Sequence, residues 1–155
     1  MSRRLRETVS DWLMALAAPL LLGSLFMAWS HQFSRAFERR WGDTSALRGV
    51  PPDPTAWQLY SAADVLLALV AAGLLAVSLW GGRARRVVLA LALAVALAFT
   101  AHAAVSPPTN GATIFDAATG AYVPNDPSTG AGEYLALAAL ALGAAGVAVA
   151  FTADP

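Results

Sequence analysis

The stretch from Trp57 to Arg86 constrains this chain more than any other. An apolar run reaches Trp80, with no charge from Val65 onward. Gly81-Gly82-Arg83-Ala84-Arg85-Arg86 then reverses direction, and Val87 opens a second uncharged run. Two such runs around a short Arg-rich turn predict a transmembrane hairpin with its turn in the cytoplasm. Composition agrees: 57% of residues are hydrophobic and 13% charged, where a soluble domain carries roughly 25% charged residues.

Four spans follow from the same criterion, at about residues 12–29, 57–80, 87–105 and 134–152. The first is about 18 residues and about 27 Å long, just enough for a bilayer core. Thr8-x-x-Asp11 resembles a capping box that starts this helix before Trp12, and Pro19 should kink it. The segment also resembles a signal peptide, with a basic start and small residues at Ala28-Trp29-Ser30. Its apolar run is longer than a usual signal core and an aromatic anchors its far end, so it reads as a retained helix. Trp12, Trp29, Trp57 and Trp80 fall at span ends, where amphipathic rings anchor to the interfaces.

The third span, Val87 to Val105, alternates Leu and Ala through Leu97, yet helix is the better reading, because an open strand leaves its backbone unsatisfied in lipid. The fourth carries Gly143-x-x-Gly146, whose small residues permit close helix approach. The outer loops are residues 31–56 and 106–132. In the first, Phe33, Phe37 and Trp41 form one helical stripe, read as a short interfacial helix on lipid or as a helix packed on the bundle. Pro51-Pro52-Asp53-Pro54 then gives a stiff lead-in to the second span. In the second loop, Thr113-Ile-Phe and Ala121-Tyr-Val flank Gly120 as a small β-hairpin. The fold expected is therefore an all-α four-helix transmembrane bundle, up-down-up-down, forming a single domain.

All ten basic residues are Arg, which with the Ala, Leu and Gly content is associated with GC-rich bacterial coding. Six of them (Arg3, Arg4, Arg6, Arg83, Arg85 and Arg86) lie on one side of the expected topology. The positive-inside rule then puts both termini in the cytoplasm, in a bacterial inner membrane.

Chemistry is sparse. Zero net charge leaves no basic footprint for nucleic acid. The absence of cysteine removes disulfides, thiolate catalysis and the common zinc sites. Asp64 and His102 fall at similar depth on consecutive spans and could titrate together as a proton-coupled pair. Asp64 also has a local explanation: Ser61-x-x-Asp64 is a capping box. His31, His102, Asp64 and Glu133 could gather at the outer face, but no two share a metal-binding spacing. Ser24, Ser61 and Ser78 lack a nucleophile-elbow motif. No catalytic residue, cofactor or metal is therefore expected.

Asp11-Trp12-Leu13 opening a span that ends Leu25-Phe26-x-x-Trp29, with Ala56-Trp57-Gln58 leading through Ser61 and Asp64 into Val65-Leu66-Leu67-Ala68-Leu69, resembles small four-helix membrane proteins of unknown function from GC-rich bacteria. The resemblance covers the first two spans and implies no activity. The layout is loosely similar to claudin-like tetraspans, but the paired cysteines and Gly-Leu-Trp signature of their first loop are missing. The expected role is a non-enzymatic accessory or scaffold protein acting through helix packing and its outer loops, with the bilayer, a second copy or another membrane protein as partner. The alternative is a small proton- or solute-coupled transport protein using Asp64 and His102.

Overall fold

The computed structural model describes residues 2–33, 53–60, 62–108, 113–116, 120–124 and 127–153. In chain order the elements are α1 (Arg3–Ser24), β1 (Ser30–His31), α2 (Ala56–Leu59), α3 (Ala63–Trp80), α4 (Arg83–Val105), β2 (Thr113–Asp116), β3 (Ala121–Pro124), β4 (Ser128–Thr129) and α5 (Ala131–Ala153). The chain is mostly helical, and α3, α4 and α5 are each long and apolar enough to cross a membrane, with mean hydropathies of 2.2, 2.3 and 2.2.

The first span differs from expectation at both ends. Its helix starts at Arg3, where the Ser2 hydroxyl accepts from the Leu5 N–H and Arg3 pairs with Glu7 one turn on. The Thr8 hydroxyl donates back to the Arg4 carbonyl within the helix, so no capping box opens at Thr8. Pro19 lies inside the helix without ending it. The helix stops at Ser24, leaving its apolar part, Trp12 to Ser24, about 20 Å long. Trp29 is no interface anchor: it is fully buried in the core, because the chain turns inward after Ser24.

The second span is interrupted. Thr55 N–H donates to Gln58 Oε1 at 2.9 Å and fixes the single turn of α2, and the chain is extended at Tyr60 before α3 begins at Ala63. Ser61 lies outside the described residues. Asp64 occupies the first turn of α3, as expected, and its carboxyl accepts no hydrogen bond among the described residues. In the third span the helix begins at Arg83, which places Arg83, Arg85 and Arg86 in the first turn of α4. The reversal is made by two residues alone, Gly81 (φ 53°) and Gly82 (φ 105°), in backbone regions that favour glycine. Of the expected interfacial helix only Phe33 is described, and it is buried; Phe37, Trp41, Pro51 and Pro52 lie outside the described residues.

The hairpin forms as expected. β2 and β3 pair antiparallel with Phe115 opposite Tyr122, their rings 5.4 Å apart, and Gly120 takes φ 67° at the turn. A second pairing was not foreseen: β1 runs antiparallel to β4, Ser30 opposite Thr129 and His31 opposite Ser128.

α1 packs most extensively on α5, then on α3. Arg6 donates to the Thr152 carbonyl and the buried Ser10 hydroxyl to the Gly146 carbonyl, both at 2.8 Å. At the other end the Gly132 N–H donates to the Ala28 carbonyl, so the two helices are antiparallel. The glycine seam is tight. A Cβ at Gly146 would stand 2.9 Å from Met14 Cγ and 3.1 Å from the Ser10 carbonyl oxygen, and one at Gly143 would stand 2.8 Å from Leu74 Cδ2. Gly146→Ala should therefore lower stability by about 1–3 kcal/mol through overpacking. Gly23→Ala, where an added Cβ meets nothing within 4 Å, should leave stability unchanged or raised. Unfolding by sodium dodecyl sulfate in mixed micelles measures both, and equal effects would contradict the packing described.

Candidate protonatable site

The end of the molecule where α1 stops is held by one buried strap, Ala28 to Gln32. Trp29 N–H donates to the Pro54 carbonyl at 2.9 Å, and its carbonyl accepts from Gly130 N–H at 2.8 Å. Its indole N–H donates to the Ser24 carbonyl at 2.8 Å. Ala28 bridges to Thr55 on the other side. Glycine is required across the strap: a Cβ at Gly132 would stand 2.5 Å from Trp29 Cδ1, and one at Gly130 would strike the Ala28 backbone. The Thr129 hydroxyl ties this layer to α4 by donating to the Ala104 carbonyl at 2.9 Å. The buried Gln32 amide donates to the Ser30 hydroxyl and the Pro108 carbonyl.

Under the strap sits Tyr60. Its ring makes edge contacts with Trp29 on one side and Phe99 on the other, with centroids 5.9 and 5.2 Å apart. Asp64 lies in the first turn of α3 and Glu133 in the first turn of α5. Phe99 places Thr100 on the buried face of α4 at the same end.

Among the described residues seven polar or charged ones are buried: Ser10, Ser24, Ser30, Gln32, Asp64, Thr100 and Glu133. The first four are satisfied within the protein. Both carboxyl oxygens of Asp64, both of Glu133 and the Thr100 hydroxyl meet no hydrogen-bond partner among the described residues. A buried ion costs several kcal/mol even after relaxation. The helix N-termini beneath the two carboxyls return at most about 2 kcal/mol. An ionised carboxylate at either position is therefore costly unless water or a cation meets it.

His102 lies one turn from the end of α4 and is exposed, and no hydrogen bond or ion pair joins it to Asp64 among the described residues. His31 is partly exposed and pairs with Asp53 through Nδ1. Among the described residues no group of three or more His, Asp or Glu side chains could hold a metal ion. Trp12, Trp57 and Trp80 are exposed, and Phe26 packs its ring 6.1 Å from that of Trp57. Arg83 and Arg85 are exposed at the opposite end.

Comparison with protein-family profiles, curated proteins and solved structures returned no match.

Proposed function

We propose that the protein is a four-span integral membrane protein, up-down-up-down, with both termini on the cytoplasmic side of a bacterial inner membrane. It works as a non-enzymatic accessory protein through helix packing and its outer loops, and protonation of Asp64 and Glu133 switches its outer end. One observation carries this reading: Asp64 and Glu133, on different helices, are fully buried, and their carboxyls meet no hydrogen-bond partner among the described residues, at the end of the molecule closed by the strap. Ionisable residues in membrane-spanning helices are functional candidates by default. Neutral, the acids leave the layer packed; ionised, each demands water, which only opening of that end supplies.

The topology rests on six of ten Arg falling on the termini side. The short apolar part of α1 fits, because Leu25 and Trp29 continue the span as buried non-helical chain. A second reading, proton-coupled transport, draws on the same acids, with Glu133 taking the part first assigned to His102.

In proteoliposomes, the protection of the amides of residues 28–32 and 128–132, taken as their exchange rate relative to the free-peptide rate at the same pH, should fall at least tenfold as pH rises from 5 to 9. Asp64→Asn with Glu133→Gln, which keeps both sites neutral, should hold that protection at its pH 5 level throughout. Equal pH dependence in wild type and variant would overturn the switch. A proton flux in the same vesicles that the variant abolishes would favour transport.

A further inference from the structure

A separate feature lies between α3 and α4. These two helices are consecutive in sequence, yet they pack on each other less extensively than α1 packs on α5 or α3, or α4 on α5. A furrow of about 820 Å3 opens between them, lined by Ala63, Gly73 and Val77 on α3 and by Arg85, Ala92 and Phe99 on α4, among other apolar residues. At 1.5 Å per residue the fourteen-residue reach from Ala63 to Val77 is about 21 Å long. That exceeds the roughly 15 Å half-thickness of a bilayer hydrocarbon core.

We propose that this furrow is a binding site for one anionic phospholipid, with an acyl chain along the α3–α4 seam and the phosphate at Arg85 and Arg83. Shape and charge both favour that occupant. The floor is closed where Gly73 faces Leu89, since a Cβ added at Gly73 would stand 3.5 Å from Leu89 Cδ1. The furrow is therefore one side chain deep, and it suits a hydrocarbon chain better than a helix of 10–12 Å diameter. Its lining is apolar along the whole length except for Arg85 at one end. Arg83 lies two residues before Arg85 on α4, and neither makes a hydrogen bond or ion pair among the described residues. Basic groups at the cytoplasmic ends of spans attract anionic headgroups, and this pair sits where the furrow meets that surface. The furrow runs from Ala63 and Phe99, near Asp64, to Arg85 at the other end, and the proposal rests on the reading that α3 and α4 cross a bilayer with the Gly81–Gly82 turn on the cytoplasmic side.

Native mass spectrometry of the full chain, released from bilayers of equal phosphatidylglycerol and phosphatidylcholine with matched chains, tests the site. Wild type should retain one phosphatidylglycerol with a preference on the order of tenfold. Arg83→Gln with Arg85→Gln, both at exposed positions, should retain lipid without preference, and Ala92→Phe should retain none. Circular dichroism checks that each variant folds; the Arg variant alone decides the headgroup. Equal retention of both lipids by wild type would overturn the proposal. So would a lipid-free dimer that Ala92→Phe converts to monomer, since a second copy would then fill the furrow.

Discussion

Backbone polarity is the constraint on which this structure depends. After Ser24 the chain leaves its helix while still among apolar neighbours, and every peptide group from Leu25 to Gln32 then needs a partner that lipid does not offer. The protein supplies them in two ways: the Leu25, Phe26 and Met27 N–H groups turn back to the Leu22, Gly23 and Ser24 carbonyls, and the strap beyond is met by two distant segments, Pro54 and Thr55 and then Gly130 and Gly132. The glycines follow from this, because a strand lying against α5 at hydrogen-bonding distance leaves no room for a Cβ at positions 130 and 132. Burial of Trp29 is the consequence of that closure.

The parts legible in the sequence were those governed by local pattern. α3, α4 and α5 could be read because an uncharged run of this length has one satisfactory conformation in lipid, and the β2–β3 hairpin because Gly120 supplies its turn. What escaped was set by distant contacts. Trp29 and Trp80 look alike as aromatics closing apolar runs, yet one is fully buried and the other is exposed. Only the pairing of β1 with β4, nearly a hundred residues apart, separates them. Likewise the Thr8-x-x-Asp11 pattern lost to Ser2 and to an Arg3–Glu7 pair, which extend the helix two turns earlier.

The candidate site was half legible. Asp64 stood out as an acid entering an apolar run, and Glu133 carried the same signal one residue before Tyr134. His102 drew attention instead because histidine titrates near neutral pH, a property of the residue type and not of its placement. Thr100 carried no signal at all. Its importance comes from the polar accounting: Ser10, Ser24 and Gln32 each find a carbonyl within the fold, whereas Thr100 and the two acids do not.

That contrast bears on how the molecule is organised. α1 and α5 are bound along their lengths by glycine contacts, by Ser10 and Arg6 at one end and by the strap at the other. α3 and α4 are joined by two glycines and then part around a furrow. Glu133 belongs to the tight pair and Asp64 to the loose one. In the proposed switch, a change of charge at these acids would act across the boundary between a tightly packed and a loosely packed half. Relief of a buried charge is cheapest where packing is weakest, so movement would be taken up by α3 and the Pro54–Tyr60 segment before it, while the α1–α5 seam holds. The outer loops are tied to both halves, through Thr55 on one side and Thr129 on the other. A small displacement at Asp64 thus has a short path to the surface that a partner would meet.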